Sequence, residues 1–184
     1  RSRRRDRAAA RMTRRAGHSA AENRKEELTM EEKTNVLRMF DKHKLPYTAR
    51  SYDPEETRGE EVARLVGLDP ASVFKTLVTV GASRANYVFV IPVCRELDLK
   101  KAAKAVGEKS VQMIKARELL PLTGYVHGGC SPVGMKKFFK TTVDRSAEAF
   151  PEIAFSAGKR GLQVQTSLAS LARLIPFTLA DLTE

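Results

Sequence analysis

The chain has 184 residues, 42% hydrophobic and 30% charged, with a net charge of +11. That is enough for one well-filled core of ordinary soluble composition, and no apolar run approaches the roughly 20 residues that span a bilayer. Two cysteines and three histidines, none at metal-ligand spacing, rule out a disulfide framework and imply a reduced cytoplasmic protein with no metal, no cofactor and no membrane contact.

Residues 1–29 are Arg/Ala-rich, lack a periodic apolar face and carry ten Lys/Arg against four Asp/Glu, more than half of the net charge. Three readings compete for this basic extension: sequence appended ahead of a natural start at Met30, an arginine-rich arm that touches RNA, or a disordered, solvated tail. The remainder, 30–184, reads as one domain.

Residues 31–44 form a helix by spacing, with Val36, Leu37, Phe40 and His43 on one face and Pro46 ending it. Residues 47–52 alternate like a short strand, and an acidic turn, 53–56, follows. A short helix over 60–66 is closed by Gly67, and Asp69-Pro70 opens another turn. The strongest strands are 73–80 and 87–93, both rich in Val, Ile and Phe. Asp98 caps a helix over 99–106 that Gly107 stops. Residues 111–113 read as a strand and 115–120 as a helical turn ended by Pro121. A strand-like stretch, 125–127, leads into a glycine turn, and 141–144 is a further strand. Residues 153–156 and 162–165 make a hairpin, and Leu168, Leu171, Ala172 and Ile175 form the inner face of a last helix. Strands outnumber helices and several are hairpin-linked. The expected class is therefore α+β, a mixed, barrel-like sheet surrounded by helices.

Three segments carry chemistry. Lys75 stands inside the apolar run Val73-Phe74-Lys75-Thr76-Leu77-Val78, where an ammonium is costly unless an anion or a developing oxyanion meets it. The commoner fate of a strand lysine is the solvent face. Gly128-Gly129-Cys130-Ser131-Pro132 is either a tight turn or a cradle of main-chain N–H groups for a carbonyl or phosphate. Cys130 with His127 three residues earlier suggests a nucleophile and base, but along a strand such residues face opposite ways. Gly158-Lys159-Arg160-Gly161 puts two cations on a hairpin tip, either solvated or set to grip a nucleic-acid backbone. It lacks P-loop spacing. Lys100, Lys101 and Lys104, with Lys136, Lys137 and Lys140, read as solvated faces or as part of an RNA footprint.

These segments, in this order, resemble the YbaK/EbsC family of aminoacyl-tRNA deacylases, relatives of the prolyl-tRNA synthetase editing domain. The resemblance spans Met30 to Glu184 and rests on Tyr52-Asp53-Pro54, Val73-Phe74-Lys75-Thr76-Leu77, Leu97-Asp98-Leu99-Lys100-Lys101, Thr123-Gly124-Tyr125, the run from Gly128 to Gly134, and Ser156-Ala157-Gly158-Lys159-Arg160-Gly161-Leu162. It implies cleavage of the ester between an amino acid, cysteine in the typical case, and the terminal adenosine of a mischarged tRNA(Pro). Prolyl-tRNA synthetase is the implied protein partner.

Lys75 falls on the family's essential lysine, which holds the phosphate or ribose of that adenosine, and Gly128 on the glycine whose backbone meets the reacting carbonyl. Tyr52 and Ser156 fall on pocket positions. Arg58, Thr76, Gly129, Cys130, Ser131, Gly158, Lys159 and Gln163 complete the expected substrate-binding set. In cysteine-specific members the substrate's own thiol attacks its carbonyl and leaves as a cyclic thioester. Arg58, where a bulky apolar residue occurs in some members, and Gln163, where an aspartate occurs, are departures that bear on the amino-acid pocket. The rival readings are a non-catalytic tRNA- or synthetase-binding module and a hydrolase using Cys130.

Overall fold

The structure is a computed structural model that describes Leu28 and residues 32–184. Apart from Leu28, the basic extension and the expected first residue of helix 31–44 lie outside the described residues.

In chain order the elements are α1 (Asn35–Lys42), β1 (Thr48–Ser51), α2 (Gly59–Leu65), β2 (Phe74–Gly81), β3 (Asn86–Pro92), α3 (Leu99–Val106), β4 (Val111–Met113), α4 (Ala116–Thr123), β5 (Lys140–Asp144), β6 (Ile153–Lys159), β7 (Leu162–Thr166), α5 (Leu168–Leu174) and β8 (Thr178–Ala180). They build the expected α+β class as two adjoining sheets. A five-stranded mixed sheet runs β4-β2-β3-β5-β8, and a three-stranded antiparallel sheet runs β1-β7-β6. The sheets meet where Val73, just before β2, bridges Ala154 on β6. That junction sets Lys75 at one end of β2 beside the β6–β7 hairpin.

Burial explains the order. The β2 and β3 strands pair antiparallel over seven positions, and Val88, Phe89, Val90 and Ile91 are fully buried, so β3 is a central strand covered on both faces. One core holds Leu37 and Phe40 of α1 against Phe74, Phe155, Ile153 and Leu171. A second packs Ala102, Ala103 and Val106 of α3 onto Phe89 and Ile91. Buried Asp144 closes the carboxyl end: its carboxylate accepts from Ser146 N at 3.1 Å and Leu182 N at 2.9 Å, tying the chain end to β5.

Several expectations need correction. His43 is exposed at the C-cap of α1 and takes no part in the apolar face. Pro121 does not end its helix. It lies inside α4, whose last turn is closed by Thr123 Oγ1 donating to Leu119 O at 2.7 Å and Gly124 N to Leu120 O at 2.9 Å. A proline removes one N–H and crowds the carbonyl four residues back, and here the bonds of Thr123 and Gly124 hold the last turn around it. Residues 125–127 are loop rather than strand, and Ala172 is exposed while Ser170 and Leu171 face inward. The short strand β8 had no signal of its own; it forms by parallel addition to β5.

Candidate active site

A cleft of about 290 Å³ opens between the two sheets; Val93 and Leu119 line part of it, and four further stretches of chain supply the rest of its wall. The loop before α2 gives Tyr52, Glu56 and Thr57. The start of β2 gives Lys75, Thr76 and Leu77. The irregular loop after α4 gives His127, Gly128 and Cys130, and the β6–β7 pair gives Ser156 and Gln163. Its volume is at the small end of ligand sites.

Lys75 is the cleft's cation. Its side chain is 29% exposed and its Nζ lies 3.4 Å from Glu96 Oε1, whose own side chain is 78% exposed. A long pair to a solvated carboxylate contributes little, so the ammonium is at liberty to exchange Glu96 for a substrate oxygen. The cleft also has one ordered anion. Arg58 donates its backbone N–H (2.7 Å) and Nε (3.0 Å) to Glu56 Oε1, and Nη2 (2.7 Å) to Oε2. These bonds hold the Glu56 carboxyl far below its usual range, at about 2, so it is ionised throughout the neutral range.

The polar wall is less satisfied. Thr76 Oγ1 and Gln163 Oε1 are buried with no hydrogen-bond partner. Orphaned acceptors and hydroxyls of this kind are unusual in folded proteins, and both line the cleft, where a ligand is the natural partner. Ser156 sits directly across the ladder from Gln163, and its Oγ accepts from Gly158 N at 3.2 Å.

The glycine turn is shaped by its neighbours. Gly128 has φ +83, a conformation that L side chains rarely adopt, and a Cβ there would approach Arg160 and Thr57. A Cβ on Gly129 would lie 3.0 Å from the backbone of Lys159 and Arg160, so this glycine lets the turn seat directly on the hairpin tip. Its N–H is spent within the turn, donating to Val126 O at 3.0 Å. The expected run of successive free N–H groups therefore does not include Gly129.

Of the other expected site residues, Cys130 lines the cleft, and burial pushes its thiol up to about 12. A thiol so strongly protonated is a poor nucleophile. Because 125–130 is loop, strand parity says nothing about Cys130 and His127; burial is the physical argument. Ser131 is fully buried and turned away from the cleft, its Oγ accepting from Val133 N at 3.3 Å. Arg58, Gly158 and Lys159 stand outside the lining: Arg58 braces Glu56, Gly158 (φ +99) packs against Val36 and Tyr125, and Lys159 is exposed. Glu56, Thr57 and Leu119 were not singled out by the sequence. Only the acidic turn hinted at the first of them, and their place in the cleft arises from contacts between distant segments.

With that geometry in view, the similarities of the chain become informative. The aminoacyl-tRNA editing domain family matches residues 53–174. A protein of Enterococcus faecalis that bears the name of a Cys-tRNA(Pro)/Cys-tRNA(Cys) deacylase, EbsC, is 42% identical over 155 residues, 83% of this chain and 94% of that protein. A crystal structure described as a trans-editing enzyme for prolyl tRNA synthetase superposes with a TM-score of 0.70 at 26% identity, covering 82% of this chain and 98% of the other. Another, of a hypothetical protein, superposes with a TM-score of 0.74 at 23% identity over 81% of this chain and 99% of that one, which speaks to the fold alone.

Proposed function

The chain belongs to the aminoacyl-tRNA editing domain family, and from that premise we propose that it is a deacylase that cleaves, in trans, the ester joining a mischarged cysteine to the terminal adenosine of tRNA(Pro). The observation that carries the reading is the convergence of Lys75, Gly128, Ser156 and Gln163, from the start of β2, the loop after α4 and the β6–β7 pair, on one small cleft.

Each group has a task in that reaction. Lys75 Nζ leaves its weak partner Glu96 for the phosphate or ribose of the terminal adenosine, fixing the ester in the cleft. The Gly128 backbone meets the carbonyl oxygen, whose negative charge grows as the carbonyl becomes tetrahedral. Thr76 Oγ1 and Gln163 Oε1 gain the partners they lack. No protein nucleophile is required. Attack by the substrate's thiol expels the ribose oxygen, which takes up a proton, and gives a cyclic thioester; attack by water gives free cysteine and the same tRNA hydroxyl. The neutral Gln163 and the charged Arg58 at the rim make the amino-acid preference the property to measure. Prolyl-tRNA synthetase is the protein partner this reading implies.

The test is deacylation of tRNA(Pro) charged with cysteine, alanine or serine. Preferential release of cysteine supports the proposal; release of alanine or serine at equal or higher rates moves the specificity, and no release of any leaves a non-catalytic tRNA- or synthetase-binding module.

A further inference from the structure

We propose that Arg160 is a positioning residue for deacylation: it clamps the His127 carbonyl and thereby aims the Gly128 N–H into the cleft. This rests on the reading of Gly128 given above. Arg160 Nε donates to His127 O at 2.7 Å, across 33 residues of chain. The carbonyl of His127 and the N–H of Gly128 belong to one planar trans peptide unit, so they point in opposite directions. His127 and Gly128 line the cleft and Arg160 does not. Pulling the carbonyl outward to Arg160 therefore turns the N–H of the same peptide inward.

The packing supports the clamp. A Cβ on Gly128 would lie 3.3 Å from Arg160 Nε and 3.4 Å from its Cγ, so the arm of Arg160 lies along the turn. Gly129 rests on the backbone of Lys159 and Arg160, and Tyr125 packs against Gly158 on the same hairpin. The hairpin tip is thus a buttress for the turn. A guanidinium donor makes a stronger bond than a neutral one and polarises the peptide, which makes its N–H a better donor to an oxyanion. In sequence Arg160 reads as either solvated or a grip on a nucleic-acid backbone; in the structure its Nε is committed to a carbonyl.

The test compares Arg160→Met, which keeps the arm and removes the donor, with Arg160→Gln, which places a neutral N–H donor at the position of Nε. Both are assayed for kcat and KM on mischarged tRNA, for the salt dependence of tRNA binding, and for the 15N-labelled Gly128 amide resonance. Arg160→Met is expected to lower kcat by about tenfold or more, since small misplacements of reacting groups are costly, with KM within about twofold and the salt slope unchanged. Arg160→Gln is expected to recover most of that loss and to keep the Gly128 resonance near its wild-type position. Equal kcat in Met and Gln variants, or a raised KM with a salt slope shallower by about one and kcat intact, overturns the proposal in favour of a phosphate contact. If the wild-type chain turns over no mischarged tRNA, the functional reading fails. The Gly128 resonance, shifted in Met and restored in Gln, then still decides the clamp.

Discussion

Lys75 and Cys130 share the cleft, and their surroundings separate their roles. Lys75 sits at one end of β2, where its partly exposed ammonium keeps only a loose partner. Cys130 is partly buried on the cleft wall, and that burial holds its proton far above the usual thiol range. The sequence could name Lys75 because a lone cation within an apolar strand is conspicuous, and Gly128 because a double glycine is. It could not show that Ser131 points into the core or that Arg58 spends its charge on Glu56, because those depend on side-chain direction. Alkylation offers a check on the thiols. With iodoacetamide at about pH 8, exposed Cys94 is expected to react and Cys130 to stay unlabelled in the folded chain. Rapid labelling of Cys130 that abolishes turnover would restore the nucleophile reading.

At the scale of elements, caps were the most legible feature. Asp98 precedes α3 and its carboxylate accepts from Lys100 N at 2.9 Å and Lys101 N at 3.0 Å, while Gly107 ends the helix in the left-handed region at φ +73. Such local chemistry is written in neighbouring residues. Asp98→Ala is expected to lower unfolding free energy by about 1 kcal/mol, read from the denaturant midpoint, with turnover unchanged. Pro121 misled because local propensity treats proline as a stop, whereas α4 needed only its final carbonyls satisfied. The turn-on-hairpin contact was hidden for the same reason that Thr57 was: residues 129 and 159 are neighbours only after folding. Gly129→Ala is expected to cost about 1–3 kcal/mol by overpacking against the hairpin backbone and to lower turnover as the turn is displaced. A variant with wild-type stability would show that the turn and hairpin are not in close contact.

For the molecule as a whole, the class was readable from strand and helix counts, but the pairing was not. Antiparallel β2–β3 is a hairpin joined by a short turn, and so is β6–β7; sequence proximity suggests both. The parallel pairs β3–β5 and β5–β8 bring together distant segments, and the split into two sheets follows from packing rather than pattern.

The half-buried side chains of Tyr125 and Cys130 add a pH dependence. Burial pushes Tyr125 and Cys130 up to about 12, from 10.0 and 9.0. The unfolded chain releases these protons first, so it binds fewer of them, and stability falls as pH rises from about 9 toward 12. Melting temperature should decline over that window, with a shallower decline in Tyr125→Phe; a flat profile would mean that the two side chains are not desolvated as described.

Under the proposed function, this cleft cleaves aminoacyl-tRNA and Lys75 holds the substrate in it. The most direct measurement is release of cysteine from Cys-tRNA(Pro) by the wild-type chain and by Lys75→Ala, side by side, with melting curves for both. The expected result is turnover by the wild type and a rate at least about 100-fold lower in Lys75→Ala with the fold intact, as loss of a positioned charge produces. Equal rates in the two chains would contradict it.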